Sequence, residues 1–170
     1  CYSYSGKNFN HRQTVWEDGG GCMSIIPIPN RANEFLAVRD FYLKESPSSA
    51  RLVWGHLVDG EWVTETILKL PYLHRFDLWD VEGEIYFIGA TIADLKDNKE
   101  DWSRPGTIYY GKLPDVLTDG IELEVLKTGL FRNHGYSSHI VDGKIHGTFG
   151  CDQGVFEVVP MKNEQWQINC

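Results

Sequence analysis

Several features that would assign this 170-residue chain to a common functional class are missing from it. Lys and Arg number 16 against 24 Asp and Glu, which gives a formal net charge of −8. Without a basic surface, we expect no nucleic-acid partner. No apolar run approaches the ~20 residues that cross a bilayer, and the N-terminus shows no signal-peptide pattern. We therefore expect no membrane association.

Motifs for nucleotide binding and for serine hydrolases are missing too. The run Gly19-Gly20-Gly21 lacks the Lys-Ser/Thr pair and the strand-to-helix context of a phosphate-binding loop. No Gly-x-Ser-x-Gly elbow occurs in the chain. We interpret the glycine run as a turn or a close backbone approach, and we expect no cofactor.

Cysteine is scarce and widely spaced, at Cys1, Cys22, Cys151 and Cys170. This spacing fits neither a Cys-x-x-Cys metal knuckle nor a dense secreted disulfide framework. It favours buried or idle thiols in a reducing compartment, with the cytoplasm slightly preferred, and a Cys1–Cys170 disulfide is the alternative. Because the chain begins with Cys1 rather than Met, we expect a mature form or a piece of a longer protein.

What the chain does contain is a repeat. Residues 70–85 match residues 130–145 at a constant offset of 60, with Leu, His, Val, Gly and Ile recurring in register. Together with 17 glycines and aromatics spread along the sequence, this indicates short strands in repeated supersecondary units. A loop with at most one helical turn is expected over 94–105.

The predicted strands fall into three units of four, over about 16–70, 71–130 and 131–170, within a single β domain at 1–170. In the outer strand of the middle unit, Ile121, Leu123 and Val125 alternate with Glu122, Glu124 and Leu126, which is typical of a strand with one face in solvent. The predicted strands are 23–28, 34–38, 51–57, 61–68, 76–81, 84–91, 107–113, 121–127, 136–141, 144–149, 155–159 and 165–169.

Four-stranded units in series are typical of an all-β fold, a β-propeller or part of one. Propellers generally have four to eight blades, and three blade-like units do not close a ring. The chain would therefore belong to a larger propeller with a missing second half, combine with a second copy as a homodimer, or fold as an open array.

The phrases "YLHRFDLWDVEGEIYFIGAT" and "RNHGYSSHIVDGKIHGTFG" resemble blade openings of five-bladed propeller glycosidases, and "DNKEDWSRPGTIYYGKLPDVL" is similar to the loop and strand that follow. The stretch from "VWEDGGGCMSIIPIPN" to "CDQGVFEVVP" also resembles uncharacterised bacterial propeller-like proteins of roughly twice this length. The resemblance implies a propeller and, if the chain is an enzyme, glycoside chemistry. A complete set of catalytic carboxyl groups has no matching positions here, so no catalytic identity is transferred.

The candidate site lies where the first strands of the units begin, because strand ends from several blades converge at the mouth of a propeller channel. Glycoside cleavage needs two carboxyl groups about 5–10 Å apart. The candidates for catalysis are Glu17, Asp18 and Asp77. The candidates for ligand binding are His74, Arg75, His134, His139 and Trp102.

Two other interpretations compete with catalysis at this site. His74, His134 and His139, with Cys22, Asp18 or His11, are zinc-ligand types, but their spacing matches no metal motif, so no metal site is predicted. The polar residues could instead bond to backbone groups and fix each blade. We expect a domain that recognises a small polar ligand or carbohydrate, with possible glycoside-bond chemistry; the alternative is a structural or protein-interaction propeller without activity.

Overall fold

A computed structural model describes residues 1–17, 20–41, 47–162 and 165–170. The described chain is all-β. The first two strands, β1 (Tyr2–Tyr4) and β2 (Phe9–His11), form a separate antiparallel hairpin. In the described ranges the helical segments are two short 3₁₀ turns, Pro47–Ser49 and Leu117–Asp119. No helix there is long and apolar enough to cross a membrane.

Twelve further strands form three four-stranded antiparallel sheets, each with its strands in chain order. The first sheet contains β3 (Ile25–Pro27), β4 (Glu34–Arg39), β5 (Arg51–Val58) and β6 (Glu61–Lys69). The second contains β7 (Leu73–Val81), β8 (Glu84–Thr91), β9 (Gly106–Lys112) and β10 (Glu124–Leu130). The third contains β11 (Gly135–Val141), β12 (Lys144–Cys151), β13 (Gly154–Val159) and β14 (Gln167–Asn169). These are blade-like units of a partial propeller, as the repeat predicts.

Acid-glycine dipeptides make the tight turns of this fold. Asp59-Gly60, Glu82-Gly83 and Asp142-Gly143 each place two consecutive residues at positive φ, with values of 52° and 85°, 53° and 87°, and 48° and 77°. Two positive φ angles in succession match the right-handed twist of the flanking strands in a two-residue hairpin. Two of these turns lie 60 residues apart and join equivalent strands, so the sequence repeat is also a structural repeat.

The second sheet is buried on both faces, because alternate residues along its strands point to opposite neighbours. Phe76 and Leu78 pack with Leu36 and Val38 of the first sheet. Trp79 and its neighbours pack against the third sheet in a second cluster. The partners of Trp79 there include Phe149, Phe156, Val158 and Trp166. The core is thus two layers between three sheets.

The outer strand of the second sheet differs from its predicted position. It begins at Glu124 rather than at residue 121, and its pairing with β9 shifts register between Val125 and Lys127. That bulge breaks the alternation, since one extra residue reverses which side chains face inward. Val125 is 54% exposed and Leu126 is buried, whereas Ile121 is buried ahead of the strand.

All four cysteines are free thiols, so the Cys1–Cys170 disulfide is not formed. The segment ahead of the first sheet is held by its polar groups instead. The side chain of Gln13 makes two hydrogen bonds to the backbone of Trp62. Its Nε2 donates to the Trp62 carbonyl at 3.0 Å, and its Oε1 accepts from the Trp62 N–H at 2.7 Å. This pair of bonds fastens the N-terminal segment to β6.

Candidate functional site

The first strands of the three sheets meet around one pocket of about 400 Å³, which we call the hub pocket. Its lining comes from β3, β7 and β11 and from the residues next to them. The lining residues are Ser24, Ile26, Arg75, Phe76, Asp77, His134, Gly135 and Tyr136. A cation and a carboxylate from β7 and an imidazole and a phenol from the start of β11 therefore surround one small volume, which Ser24 and Ile26 close on the side of β3.

Asp77 is held across the interface between the second and third sheets. Its Oδ2 accepts hydrogen bonds from the hydroxyl of Tyr136 at 2.7 Å and the hydroxyl of Ser138 at 3.0 Å. The indole N–H of Trp79 donates to the same oxygen at 3.3 Å and to the Tyr136 hydroxyl at 3.1 Å. Oδ1 accepts from the backbone N–H of Leu78 at 2.9 Å. These bonds fix the orientation of the carboxylate.

The same network keeps Tyr136 protonated. Burial raises the pKa of this phenol far above its usual range, and the negative charge of Asp77 raises it further. Tyr136 is therefore a permanent hydrogen-bond donor at neutral pH. Its one hydroxyl hydrogen is donated to Asp77, so the pair joins the two sheets and forms a polar wall of the pocket.

Arg75 supplies the positive charge of the pocket. Its guanidinium donates to the carbonyl of Met23 at 2.9 Å, which connects β7 to the segment before β3. A guanidinium carries five N–H donors in a planar fork, so this one bond positions the group and leaves most of its donors available. Arg75 thus both joins two sheets and presents a cation to the pocket.

His74 lies behind the pocket rather than in its wall. Its side chain is fully buried, and its ring centroid lies 4.1 Å from that of His134 and 5.1 Å from that of Phe41. Among the described residues, neither ring nitrogen has a hydrogen-bond partner. Burial, with smaller contributions from His134 and Arg75, lowers the pKa of His74 to about 3. The ring is therefore neutral and forms an apolar backing for the exposed imidazole of His134.

Arg75, Asp77 and His134 come together as the sequence predicts, and His74 contacts His134. Glu17 is exposed and is not among the residues that line the hub pocket. Asp18 lies outside the described residues. His139 is on the opposite face of the third sheet, where it pairs with His146. The catalytic and ligand-binding roles assigned to all of these residues stay predictions.

Trp102 lies apart from the hub pocket. The Nζ of Lys96 lies 3.2 Å from the centroid of the Trp102 ring, and the guanidinium carbon of Arg132 lies 5.6 Å from it. The indole is half-buried against the first core cluster. These contacts make Trp102 an anchor for the loop over 92–105; a ligand-binding role for it stays a prediction.

Sequence reasoning missed two neighbours of the hub pocket. Ser138 completes the shell of donors around Asp77, and Asn133 is buried beside His134 with both polar atoms of its side chain unpartnered. Their positions next to repeat residues were visible in the sequence. The bond from Ser138 to Asp77 was not visible, because it joins residues of two different units.

A second, wider cleft of about 550 Å³ lies between the N-terminal hairpin and the first sheet. Its walls are mostly apolar and aromatic, including Trp16, Phe35 and Trp62, and no carboxylate or guanidinium is among the described residues that line it. The hub pocket is smaller but collects the charged and hydrogen-bonding groups. For this reason we regard the hub pocket as the candidate functional site.

The chain is similar to a glycoside hydrolase family 32 β-fructofuranosidase from Bombyx mori, with 14% identity and a TM-score of 0.46, over 84% of this chain and 36% of that one. The chain thus spans about a third of the length of that enzyme. No family model and no curated relative matches the sequence. At this identity the similarity concerns the fold alone.

Proposed function

We propose that this chain binds a small polyhydroxylated ligand, a carbohydrate, in the hub pocket. The observation that supports the proposal is the meeting of Arg75, Asp77, His134 and Tyr136 around one volume built by three sheets. Sugars are recognised by a few fixed donors and acceptors set among apolar walls. Ile26 and Phe76 supply apolar surface here, and Arg75 and His134 supply hydrogen-bonding groups outside the Asp77 network.

Glycoside-bond chemistry is the finer form of this proposal. Hydrolysis needs an acid and a second carboxylate on opposite sides of the scissile bond. Among the described residues Asp77 is the one carboxylate that lines the pocket. Glu17 and Asp18 are the candidates for the second. The described pocket therefore supplies the groups for binding a sugar and one of the two carboxyl groups that hydrolysis needs.

Calorimetric titration with neutral mono- and disaccharides (glucose, galactose, fructose, sucrose and lactose) tests the proposal. We expect at least one sugar to bind saturably, and Arg75→Gln and His134→Gln each to raise its Kd about tenfold, equivalent to about 1.4 kcal/mol. Arg12→Gln and His139→Gln are matched controls, because Arg12 bonds Ser3 in the N-terminal hairpin and His139 lies on the far face of the third sheet.

A structural or protein-interaction propeller is the second candidate, and the saturated state of Asp77 favours it. Four described donors already occupy the two carboxylate oxygens, as expected for a residue that joins sheets. No binding by any sugar, combined with strong destabilisation by Asp77→Asn, would support this candidate over carbohydrate recognition. If the wild-type protein released free sugar from a glycoside and the Glu17→Gln variant did not, the result would instead support an enzyme.

The proposal extends to further blades that complete the ring, supplied by a second copy or by a missing second half. The third sheet carries exposed apolar side chains on both faces, with Ile140 at 66% on the face toward the second sheet and Val155 at 61% on the outer face. Exposed apolar side chains at the end of a blade array favour contact with another blade. Light scattering tests the homodimer: a mass of twice 19.4 kDa is expected, and a stable monomer at all concentrations would count against it.

A further inference from the structure

The outer face of the third sheet carries a second group of titratable side chains, on the side of the sheet that faces away from the hub pocket. His139 lies on β11, His146 on β12 and Glu157 on β13. One possible ligand atom from each residue lies within 4.8 Å of the other two. Three neighbouring strands thus direct two imidazoles and one carboxylate to the same point.

The strand register explains this convergence. His139 is directly opposite His146 on the neighbouring strand. Glu157 is opposite Thr148, two residues along β12 from His146, and so occupies the diagonal position on the same face. Diagonal neighbours across a sheet lie within reach of long side chains. Hydrogen-bonded strands fix these positions, so the group does not depend on a mobile loop.

The side chains already point at one another. Nδ1 of His146 lies 2.9 Å from Oε1 of Glu157, and Nε2 of His139 lies 4.0 Å from the same oxygen. The two ring centroids are 5.7 Å apart. His139 and Glu157 are partly exposed, at 44% and 39% of the side chain, so both can adjust their rotamers and remain accessible to an ion from solvent.

We propose that His139, His146 and Glu157 bind a divalent transition metal ion, zinc. Two histidines and one glutamate form a zinc ligand set, and three protein ligands leave a fourth position for water or another donor. Imidazole nitrogen selects transition metals over calcium and magnesium, which prefer all-oxygen sites. The site is separate from carbohydrate recognition, and neither proposal depends on the other.

Zinc chloride titration by calorimetry, together with thermal melting, tests this site. The four free cysteines are alkylated first, because thiolates also bind zinc. We expect one equivalent of zinc to bind, and Tm to rise by roughly 5–10 °C at a hundredfold excess over Kd, because zinc binds the folded state. His139→Gln, His146→Gln and Glu157→Gln should each weaken binding at least tenfold.

His134→Gln, in the hub pocket, is the matched histidine control and should retain full zinc affinity. His139→Gln is the decisive variant, since this partly exposed side chain can change without loss of the fold. The proposal is overturned if zinc binds no tighter than about 1 mM, or if the affinity is unchanged in His139→Gln and Glu157→Gln. Either result would leave the three residues as an ordinary hydrogen-bonded ion-pair cluster.

Discussion

Tyr136 donates its phenolic hydrogen to Oδ2 of Asp77 at 2.7 Å, across the boundary between the second and third sheets. The same oxygen also accepts from Ser138, in the third sheet, and from Trp79, in the second. One carboxylate therefore both faces the hub pocket and joins two sheets. If Asp77 mainly joins the sheets, its substitution should lower stability, whereas a residue that only faces the pocket could be replaced with the stability unchanged.

Replacing Asp77 with Asn should lower the free energy of unfolding by about 1–3 kcal/mol. An amide places N–H donors where a carboxylate oxygen now accepts hydrogen bonds, up to three of them at Oδ2, and each unmatched buried polar group costs about that much. Urea denaturation measures the change, with the exposed Asp115→Asn as the control. An unchanged midpoint would show that the network does not hold the sheets together.

Replacing Gly147 with Ala should destabilise the interface between the same two sheets. A Cβ at residue 147 would lie 2.5 Å from the fully buried ring of Trp79, and overpacking of this kind costs about 1–3 kcal/mol. Gly150→Ala on the same strand is the matched control, because its Cβ would meet no atom closer than 3.7 Å. Equal melting temperatures for the two variants would contradict the packing described for Trp79.

Because His74 is buried, the free energy of unfolding should decrease as pH falls. Its folded pKa of about 3 lies below the ordinary value of 6.5, so the unfolded chain binds the extra proton first. The contribution to stability is complete above pH 6.5 and is lost progressively toward pH 3.

His74→Leu removes this titration without removing a hydrogen bond to any described residue, since neither ring nitrogen has a partner among them. At pH 8 the variant should unfold at nearly the same urea concentration as the wild type. At pH 5 the variant should unfold at a higher urea concentration than the wild type does at that pH. A parallel loss of stability in both proteins between pH 8 and pH 5 would mean that other groups account for the acid sensitivity.

Trp102→Ala should open the loop over 92–105 to trypsin. The ring carries Lys96 on its face and packs against the first core cluster, and a cation–π contact contributes about 0.5–1 kcal/mol. With the packing also lost, the free energy of local opening should fall by about 1.4 kcal/mol, which raises the open population tenfold. We therefore expect cleavage about tenfold faster. Leu95→Ala, at an exposed position of the same loop, is the control that should leave the cleavage rate unchanged.

The architecture could be predicted because its signals are local. Glu82-Gly83 and Asp142-Gly143 mark hairpins whose two positive φ angles are set within the dipeptide. The side-chain alternation of the flanking strands then gives the sheets. The approach of His74 to His134 followed from the repeat, since equivalent strand starts of neighbouring units converge on a common axis.

What could not be predicted depends on contacts between distant segments. The bulge after Val125 arises in the pairing with β9 and has no signature in the outer strand itself. The group of His139, His146 and Glu157 is spread over three strands, so no short motif announces it. That hydrogen bonds fill the carboxylate of Asp77 could be seen only from the positions of Tyr136 and Ser138 in the third sheet.

The central claim is that ligand recognition occurs where the first strands of the three sheets meet. NMR titration of the ¹⁵N-histidine-labelled protein with the sugars tests it most directly, because His134 lines the hub pocket and His11 lines the wider cleft. The account predicts a saturable shift of the His134 imidazole signals, with those of His11 and His139 unmoved. A saturable shift at His11 alone, or no shift at any histidine, would contradict it.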